Sequence, residues 1–251
     1  MKLAEQTAAK IELAIIEQGW PLGMVIGSEA DLLAEYGVSR AVLREAVRLL
    51  EHDHVAQMRR GPGGGLVVAE PDAEAVTRAA TLHLRYRQVN PGQLFEARIA
   101  LELAAVKSAT ERIDEHGIGR LREVLAHEAA GTEQADVNSH YFHLVVAQLS
   151  GNPALELFTD VMTRLSAAAF LGSGGLADTT AASSARDALQ DDVASVHRGI
   201  AEAIIAGDVG MAQHRTTRHL QAMAAAVGRQ PTTPGPTRAA AGTRRPRRPR
   251  R

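Results

Sequence analysis

Apolar residues recur with a helical period along most of this chain. Near the N-terminus, Ala8, Ile11 and Ile15 fall on one side of a helix that Gly19 ends. Between residues 55 and 69 the period changes to that of short strands. The pattern therefore predicts a mainly helical protein with one small β element.

Two short helices joined by a tight turn follow the first helix. Ser28 suits an N-cap, with Asp31 in a weak form of the capping box, and Gly37 suits a helix end that needs a positive φ. Ser39 begins a second helix, whose apolar residues from Leu43 onward lie at i, i+3, i+4 and i+7. This arrangement predicts a helix-turn-helix.

A β-hairpin is predicted directly after these helices. Residues 55–60 and 66–69 have the pattern of strands, and the glycine-rich residues 61–65 between them favour a turn. Three helices and a two-stranded wing together predict a winged helix-turn-helix DNA-binding domain over residues 1–70.

The rest of the chain divides into a helical part and a tail. Residues 73–228 have helical periodicity with short breaks, and Asn90 followed by proline is a good helix start. We expect about seven helices in a bundle. Residues 229–251, rich in proline and arginine without periodicity, are predicted to be disordered. The predicted fold is thus mainly α, a winged helix-turn-helix followed by an all-α bundle.

Composition removes several classes of protein. The chain has no cysteine, which excludes disulfides, zinc knuckles and thiol catalysis. Glu5, Lys10 and Glu12 interrupt the apolar N-terminus, so no signal peptide is expected, and no apolar run approaches the roughly 18 residues of a membrane span. A cytoplasmic protein is therefore predicted, with no membrane partner.

Charge limits how the N-terminal part could bind DNA. The net charge is −1, yet residues 229–251 hold eight arginines and no acid, whereas residues 1–70 hold seven basic and ten acidic residues. Any DNA contact must therefore come from a few well-placed arginines. The tail's arginines are compatible with salt-sensitive attraction to DNA phosphates and equally with no role.

Arginines on the second helix of the helix-turn-helix are candidates for that contact. Arg40, Arg44 and Arg48 fall at i, i+4 and i+8 beside the apolar stripe. An arginine fork matches the O6 and N7 atoms of guanine, and a helix N-terminus with Ser39 suits phosphate. The alternative is an amphipathic helix with a solvated charged face, and the pattern alone leaves both open.

A family resemblance bears on that choice. Residues 28–46, SEADLLAEYGVSRAVLREA, and residues 59–68, RRGPGGGLVV, resemble the GntR family of bacterial winged-helix regulators. Two positions depart from the family: Ala30 replaces a basic residue that touches DNA, and His54 replaces a glycine. The resemblance implies that the DNA-contacting residues are Ser39, Arg40, Arg44, Arg60 and Gly61.

Three of the ten histidines are candidate metal ligands. His143, His197 and His219 lie on three predicted helices, and imidazole is the commonest metal ligand. Three histidines from three helices can close on one divalent ion inside a bundle. Their spacing alone is a weak signal, because most exposed histidines have no such role.

A second resemblance covers the helical part. The chain resembles the FCD domain, which defines the FadR-type subgroup of GntR regulators, at residues 94–102, 142–143, 150–153, 197, 207–208 and 219–220. This resemblance implies an all-helical domain that dimerises and binds small carboxylates, often beside a Zn or Ni ion. His143, His197 and His219 fall on the family's metal positions.

Two further positions follow from that resemblance. Ser139 stands where the family carries an acidic fourth ligand, one turn before His143, so a three-histidine site with weaker affinity is expected. Arg98 stands where the family holds the effector carboxylate. The alternative for Arg98 is an ion pair with Glu102 at i+4.

We therefore predict a DNA-binding transcription regulator that is not an enzyme. It is expected to be a homodimeric repressor of a double-stranded DNA operator, controlled by a small organic acid. One alternative is a metal-dependent hydrolase on the three histidines, but Glu202 lies off the face of His197 and no His-Glu-x-x-His motif exists. The other alternative is a DNA-binding protein without a ligand.

Overall fold

The computed structural model describes residues 2–61, 63–130, 135–172 and 181–228 of the chain. Within these ranges, side chains are described except at residues 135–139, 168–172, 181–192 and 228. The elements of the N-terminal part are α1 (Leu3–Glu17), β1 (Val25–Gly27), α2 (Glu29–Tyr36), α3 (Arg40–His52), β2 (Ala56–Arg59) and β3 (Gly65–Val68).

Local hydrogen bonds define both helices of the helix-turn-helix. The backbone N–H of Asp31 donates to Ser28 Oγ at 3.3 Å, and the Asp31 carboxylate accepts from the N–H of Ser28 at 2.9 Å. Gly37 ends α2 with φ 62°, and Ser39 Oγ accepts from the N–H of Val42 at 3.3 Å to begin α3. The caps and turn predicted from the sequence are confirmed.

The sheet has three strands where two were predicted. β1 pairs antiparallel with β3, which also pairs antiparallel with β2, so the strand order is β1-β3-β2. β1 was expected to be loop, because three residues are too few to show an alternating pattern. Its pairing partner Val67 lies far along the chain, so no local signal marks the strand.

The helices and the sheet share one apolar core. Its fully buried members come from α1, α2, α3 and the strands; they include Ile11, Ile15, Leu32, Leu43, Leu50 and Leu66. The indole N–H of Trp20 donates to the carbonyl oxygen of Ala69 at 2.9 Å and so holds the chain after α1 against the sheet. Because Leu43 and Leu50 of α3 belong to this core, the apolar side of α3 is buried and its polar side is exposed.

His54, which stands where the family has a glycine, has φ 55°, a positive value that glycine adopts easily and histidine tolerates.

Seven helices follow among the described residues. They are α4 (Ala73–Tyr86), α5 (Pro91–Arg112), α6 (Glu115–Ala129), α7 (Ala135–Leu149), α8 (Pro153–Gly172), α9 (Ala181–Ile205) and α10 (Val209–Gly228). Asn90 caps α5, as the sequence predicts, and Asn152 caps α8. Gly117 lies in the first turn of α6, where its N–H donates to the capping carboxylate of Asp114 at 2.8 Å.

α5 is the central helix of this bundle. It packs against α7, α8, α9 and α10, and the core around it is built mainly from Ala, Val, Leu and Ile with Phe142. A polar residue on the inner face of α5 therefore lies in the interior of the bundle. α4 packs on α8 and carries Ala73 as its buried residue.

The predicted domain bounds, 1–70 and 73–228, stay a prediction. The tail at residues 229–251, predicted to be disordered, lies outside the described residues. Among the helices that are described, none combines the length and the apolar character needed to cross a membrane.

Close approach of β1 makes Gly65 sensitive to substitution. A Cβ atom at Gly65 would lie 2.4 Å from the carbonyl oxygen of Gly27, and φ is +154°. We expect Gly65→Ala to destabilise the N-terminal part by about 1–3 kcal/mol, measured as a lower midpoint of thermal unfolding. The control is Gly119→Ala on α6, where a Cβ meets nothing within 4 Å and helix propensity should rise. Equal midpoints for the two variants would contradict this account of the sheet.

Candidate metal centre and nucleic-acid interface

Three helices bring His143, His197 and His219 together. One ligand nitrogen from each ring lies within 4.8 Å of the others, and the three residues are 4%, 0% and 7% exposed. The Nε2 atoms of His197 and His219 are 3.2 Å apart. Two nitrogens bound to one ion at about 2.1 Å lie roughly 3.0–3.4 Å apart, so this pair already has the spacing of two ligands.

Two buried carboxylates orient two of these rings. Glu102 on α5 has Oε2 2.6 Å from Nδ1 of His143. Glu128 on α6 has its two oxygens 2.8 and 3.0 Å from Nδ1 of His197. An ionised carboxylate only accepts hydrogen bonds, so Nδ1 of His143 donates its proton to Glu102, and Nδ1 of His197 does the same when Glu128 is ionised. The Nε2 atom of the donating ring then keeps the lone pair that a metal ion requires.

Burial keeps the three imidazoles neutral. It lowers the pKa of His197 to about 3 and that of His219 to about 2, and it lowers the pKa of His143 as well. At neutral pH all three are therefore in the form that binds metals. Phe142 stacks on the His197 ring with the ring centroids 4.2 Å apart, which adds to this exclusion of water.

The two carboxylates differ in charge state. Burial raises the pKa of Glu128 to about 7. Burial also opposes ionisation of Glu102, but His143 and the guanidinium of Arg98 together hold the pKa of Glu102 well below its ordinary range. Glu102 is therefore the fixed negative charge of the site.

Arg98 is fully buried and only partly paired. Its Nε donates to Oε1 of Glu102 at 2.5 Å, so the ion pair at i+4 is present. Nη1 and Nη2 are buried without a partner among the described residues. A buried guanidinium with two free groups is costly, and a ligand carboxylate is its natural partner. The two alternatives stated for Arg98 are thus compatible, since each uses a different edge of the group.

The sequence predicts only part of this site. The i+4 spacing pairs Glu102 with Arg98 and gives no sign of its contact with His143, and no sequence pattern marks Glu128. Glu128 lies 69 residues from its partner His197, so no local pattern joins them. Ser139 lies on α7, but its side chain is outside the described part of the structure.

The five residues predicted to contact DNA are all exposed. Ser39, Arg40 and Arg44 lie at the start of α3, and no ion pair links either arginine to a described residue. Arg60 and Gly61 lie in the turn between β2 and β3. These positions leave both arginines of α3 available to a ligand on the protein surface.

Arg48 differs from the other two arginines of α3, because its Nη1 lies 3.2 Å from the carboxylate of Glu45.

The helix-turn-helix and its sheet define the chain as a winged-helix DNA-binding protein, with a helical domain that contains a buried polar centre.

Comparison with known proteins gives the family. The model of bacterial regulatory proteins of the gntR family matches residues 3–66, and the model of the FCD domain matches residues 93–222. The chain therefore belongs to the GntR family of DNA-binding transcription regulators, with an FCD domain as its helical part. The family and fold predicted from the sequence are confirmed.

Two curated relatives and one solved structure agree with membership of the GntR family. The Exu regulon transcriptional regulator of Escherichia coli K12 is 27% identical over 164 residues, 64% of this chain and 62% of the relative. The transcriptional repressor NanR of Cronobacter sakazakii is 27% identical over 158 residues, which are 61% of this chain and 60% of the relative. The chain spans about three fifths of the length of these relatives. A GntR structure from Streptococcus agalactiae has the same fold, with TM-score 0.67 and 21% identity over 89% of this chain and 99% of that one.

The family and these relatives are transcription regulators and not enzymes. The prediction of a non-enzymic regulator is confirmed on that ground, and the hydrolase alternative has no support. FCD domains often bind a metal, and the histidine cluster of this chain lies inside the FCD match.

The buried ion pair gives a stability prediction. Glu102→Ala leaves the Arg98 guanidinium buried without its carboxylate, so we expect a loss of about 3–5 kcal/mol in unfolding free energy. The control is Glu111→Ala on the same helix, where the pair with Lys107 spans 3.9 Å and is more than half exposed. That change should cost under about 1 kcal/mol. Urea unfolding at pH 7 measures both, and similar losses would contradict the burial of this network.

Proposed function

We propose that this chain is a homodimeric, cytoplasmic repressor of transcription. In this proposal residues 1–70 bind a double-stranded DNA operator, and residues 73–228 bind a small organic acid that releases the DNA. The observation that carries it is the unpartnered edge of buried Arg98, which Glu102 joins to the histidine cluster. The same observation counts against a DNA-binding protein without a ligand.

The donor set supports a Zn or Ni ion on His143, His197 and His219. Imidazole nitrogens suit these two metals, and carboxylate partners on Nδ1 are the usual support of a metal-binding histidine. The ion would supply positive charge that attracts a ligand carboxylate. Ser139 at the acidic position removes one negative ligand, so the affinity for metal is expected to be lower than with an aspartate.

Arg98 supports a carboxylate as the ligand's recognised group. Its Nη1 and Nη2 form a planar edge that fits two carboxylate oxygens. Nε is already held by Glu102, so the guanidinium cannot rotate freely. The edge that receives the ligand is therefore oriented before the ligand binds, which lowers the entropy cost of binding.

The exposed residues of α3 and the wing support operator binding. Arg40 and Arg44 suit base edges in the major groove, and Ser39 at the helix N-terminus suits a phosphate. Arg60 and Gly61 in the β2–β3 turn suit the backbone or the minor groove. A dimer would place two α3 helices in successive major grooves, about 34 Å apart on a near-palindromic operator.

α4 offers a route from the effector site to α3. Arg78 on α4 donates to the carbonyl oxygen of His52, at the end of α3, at 3.4 Å. The same helix packs on α8 of the effector part. A shift of α8 on ligand binding would therefore move the contact to α3 and change the placement of the DNA-reading helices.

Metal analysis tests the histidine cluster. Protein purified without a chelator or a nickel column should contain about one Zn or Ni per chain. His197→Ala should lose this metal, whereas His214→Ala, an exposed histidine on α10, should retain it. Equal metal content in the two variants, measured by plasma mass spectrometry, would refute the site.

Arg44→Ala tests the DNA interface. On an operator selected from random DNA, we expect a loss of about 1–3 kcal/mol in binding free energy and relaxed preference at one base position. Arg122→Ala, which removes an exposed arginine of α6, is the control of equal charge. Fluorescence anisotropy measures both, and equal weakening by the two changes would mean that α3 does not read the operator.

Arg98→Lys tests whether Arg98 binds the carboxylate of the effector. The substitution keeps the charge but removes the planar edge, so an organic acid that releases the operator should bind at least about tenfold more weakly. The metal content should not change. The control is Arg112→Lys at the end of the same helix. An acid that binds tightly yet leaves operator affinity unchanged would disprove the switching mechanism.

A further inference from the structure

Four buried polar atoms lack a hydrogen-bond partner in the described part of the chain. They are Nη1 and Nη2 of Arg98 and the Oγ1 atoms of Thr159 and Thr163. The two threonines are 0% and 2% exposed. All four atoms lie on α5 and α8, which pack against each other. Buried polar groups almost always find partners, so a group of unpaired ones on two facing helices indicates a ligand.

Thr159 and Thr163 differ from the other threonines in the described helices. Each of the others donates its hydroxyl to the carbonyl oxygen four residues earlier; they are Thr7, Thr77, Thr81, Thr110, Thr216 and Thr217. That local bond satisfies a helical threonine without any tertiary partner. Thr159 and Thr163 do not form it, so their hydroxyls stay available to another group.

Packing of α8 on α5 places these threonines near Arg98. Arg112, at the end of α5, lies against the glycine that precedes α8. Leu94, near the start of α5, packs in one cluster with Leu165 in the second half of α8. The two helices are therefore antiparallel. Arg98, one turn after Leu94, then lies at the level of residues 159–163.

The packing of α8 against α7 independently places Thr159 at the level of a site residue, His143. The two helices are consecutive, they are joined by a short turn, and they pack against each other. His143 lies six residues before the end of α7, and Thr159 lies six residues after the start of α8. An antiparallel pair with equal rise brings these two positions side by side. Two of the helices that pack against α8, α5 and α7, thus carry site residues at the level of the unpaired hydroxyls.

We infer that Thr159 and Thr163 bind hydroxyl groups of the effector, so that the site takes a hydroxylated carboxylate and not an unsubstituted acid. The inference rests on the proposed function, in which Arg98 holds the carboxylate. A threonine hydroxyl both donates and accepts, so it matches a ligand hydroxyl in either direction. A buried site built in this way rejects an analogue that lacks the hydroxyl, because the site's own polar groups stay unpaired.

Matched pairs of acids test this inference on the full-length, metal-loaded protein. The pairs are malate with succinate, gluconate with hexanoate, and lactate with propionate, measured by titration calorimetry. In one pair at least, the hydroxy acid should bind the unchanged protein at least about 100-fold more tightly than its partner. In the double variant Thr159→Val and Thr163→Val, the ratio of the two affinities should fall about tenfold for each hydroxyl removed, and the variant should keep its metal.

Two controls separate hydrogen bonding from packing. Thr110→Val on α5 removes a buried hydroxyl that is already bonded within its own helix, so the preference should stay. Thr159→Ser keeps the hydroxyl and should also keep the preference. If the valine variant retains the preference, or if both acids of every pair bind the unchanged protein equally, the inference is wrong.

The outcomes also distinguish this inference from the proposed function. If acids bind and depend on Arg98, but hydroxylation makes no difference, the hydroxyl inference fails and the proposed function stands. If no acid of either series binds the unchanged protein and Arg98→Lys has no effect on operator release, both fail.

Discussion

The buried contact between Glu102 and its two partners is the constraint on which the polar site of the helical domain depends. One oxygen of this carboxylate accepts from Arg98 and the other lies against Nδ1 of His143. Two charges and a polar ring are thus removed from water in the middle of a helical bundle. Such a network is costly to bury, and its cost is only partly offset by the ion pair, because two guanidinium nitrogens stay unpaired. This unmet hydrogen-bonding capacity supports the proposal that the site binds a ligand.

The DNA-binding part has the opposite balance of forces. Its stability comes from an apolar core and from local caps at Ser28 and Ser39, and its arginines lie outside in water. Nothing in the core requires Arg40 or Arg44, so these side chains can be used for recognition without a loss of stability. The two parts are connected through α4, whose Arg78 donates to the carbonyl oxygen of His52 at the end of α3 and which also packs against α8.

Features set by neighbours in the sequence could be predicted, and those set by distant residues could not. The caps at Ser28, Ser39 and Asn90 depend on residues three positions away, and a single sequence shows them. β1 exists because β3 pairs with it across about forty residues, so its three residues carry no signal of their own. The resemblance to known regulators supplied the histidines and Arg98, which no spacing rule would have selected. The support of His197 by Glu128 depends on the packing of α6 against α9, and only the structure reveals it.

The tautomer of His143 tests the central claim most directly. If ionised Glu102 accepts from Nδ1, the metal-free protein at neutral pH should contain a neutral His143 with its proton on Nδ1 and its lone pair on Nε2. Long-range nitrogen–proton correlation spectra of protein labelled with 15N-histidine, assigned with His143→Gln, report this state. A neutral ring with the proton on Nδ1 would agree with a site oriented for metal before any ion binds. A proton on Nε2, or a doubly protonated ring, would contradict it.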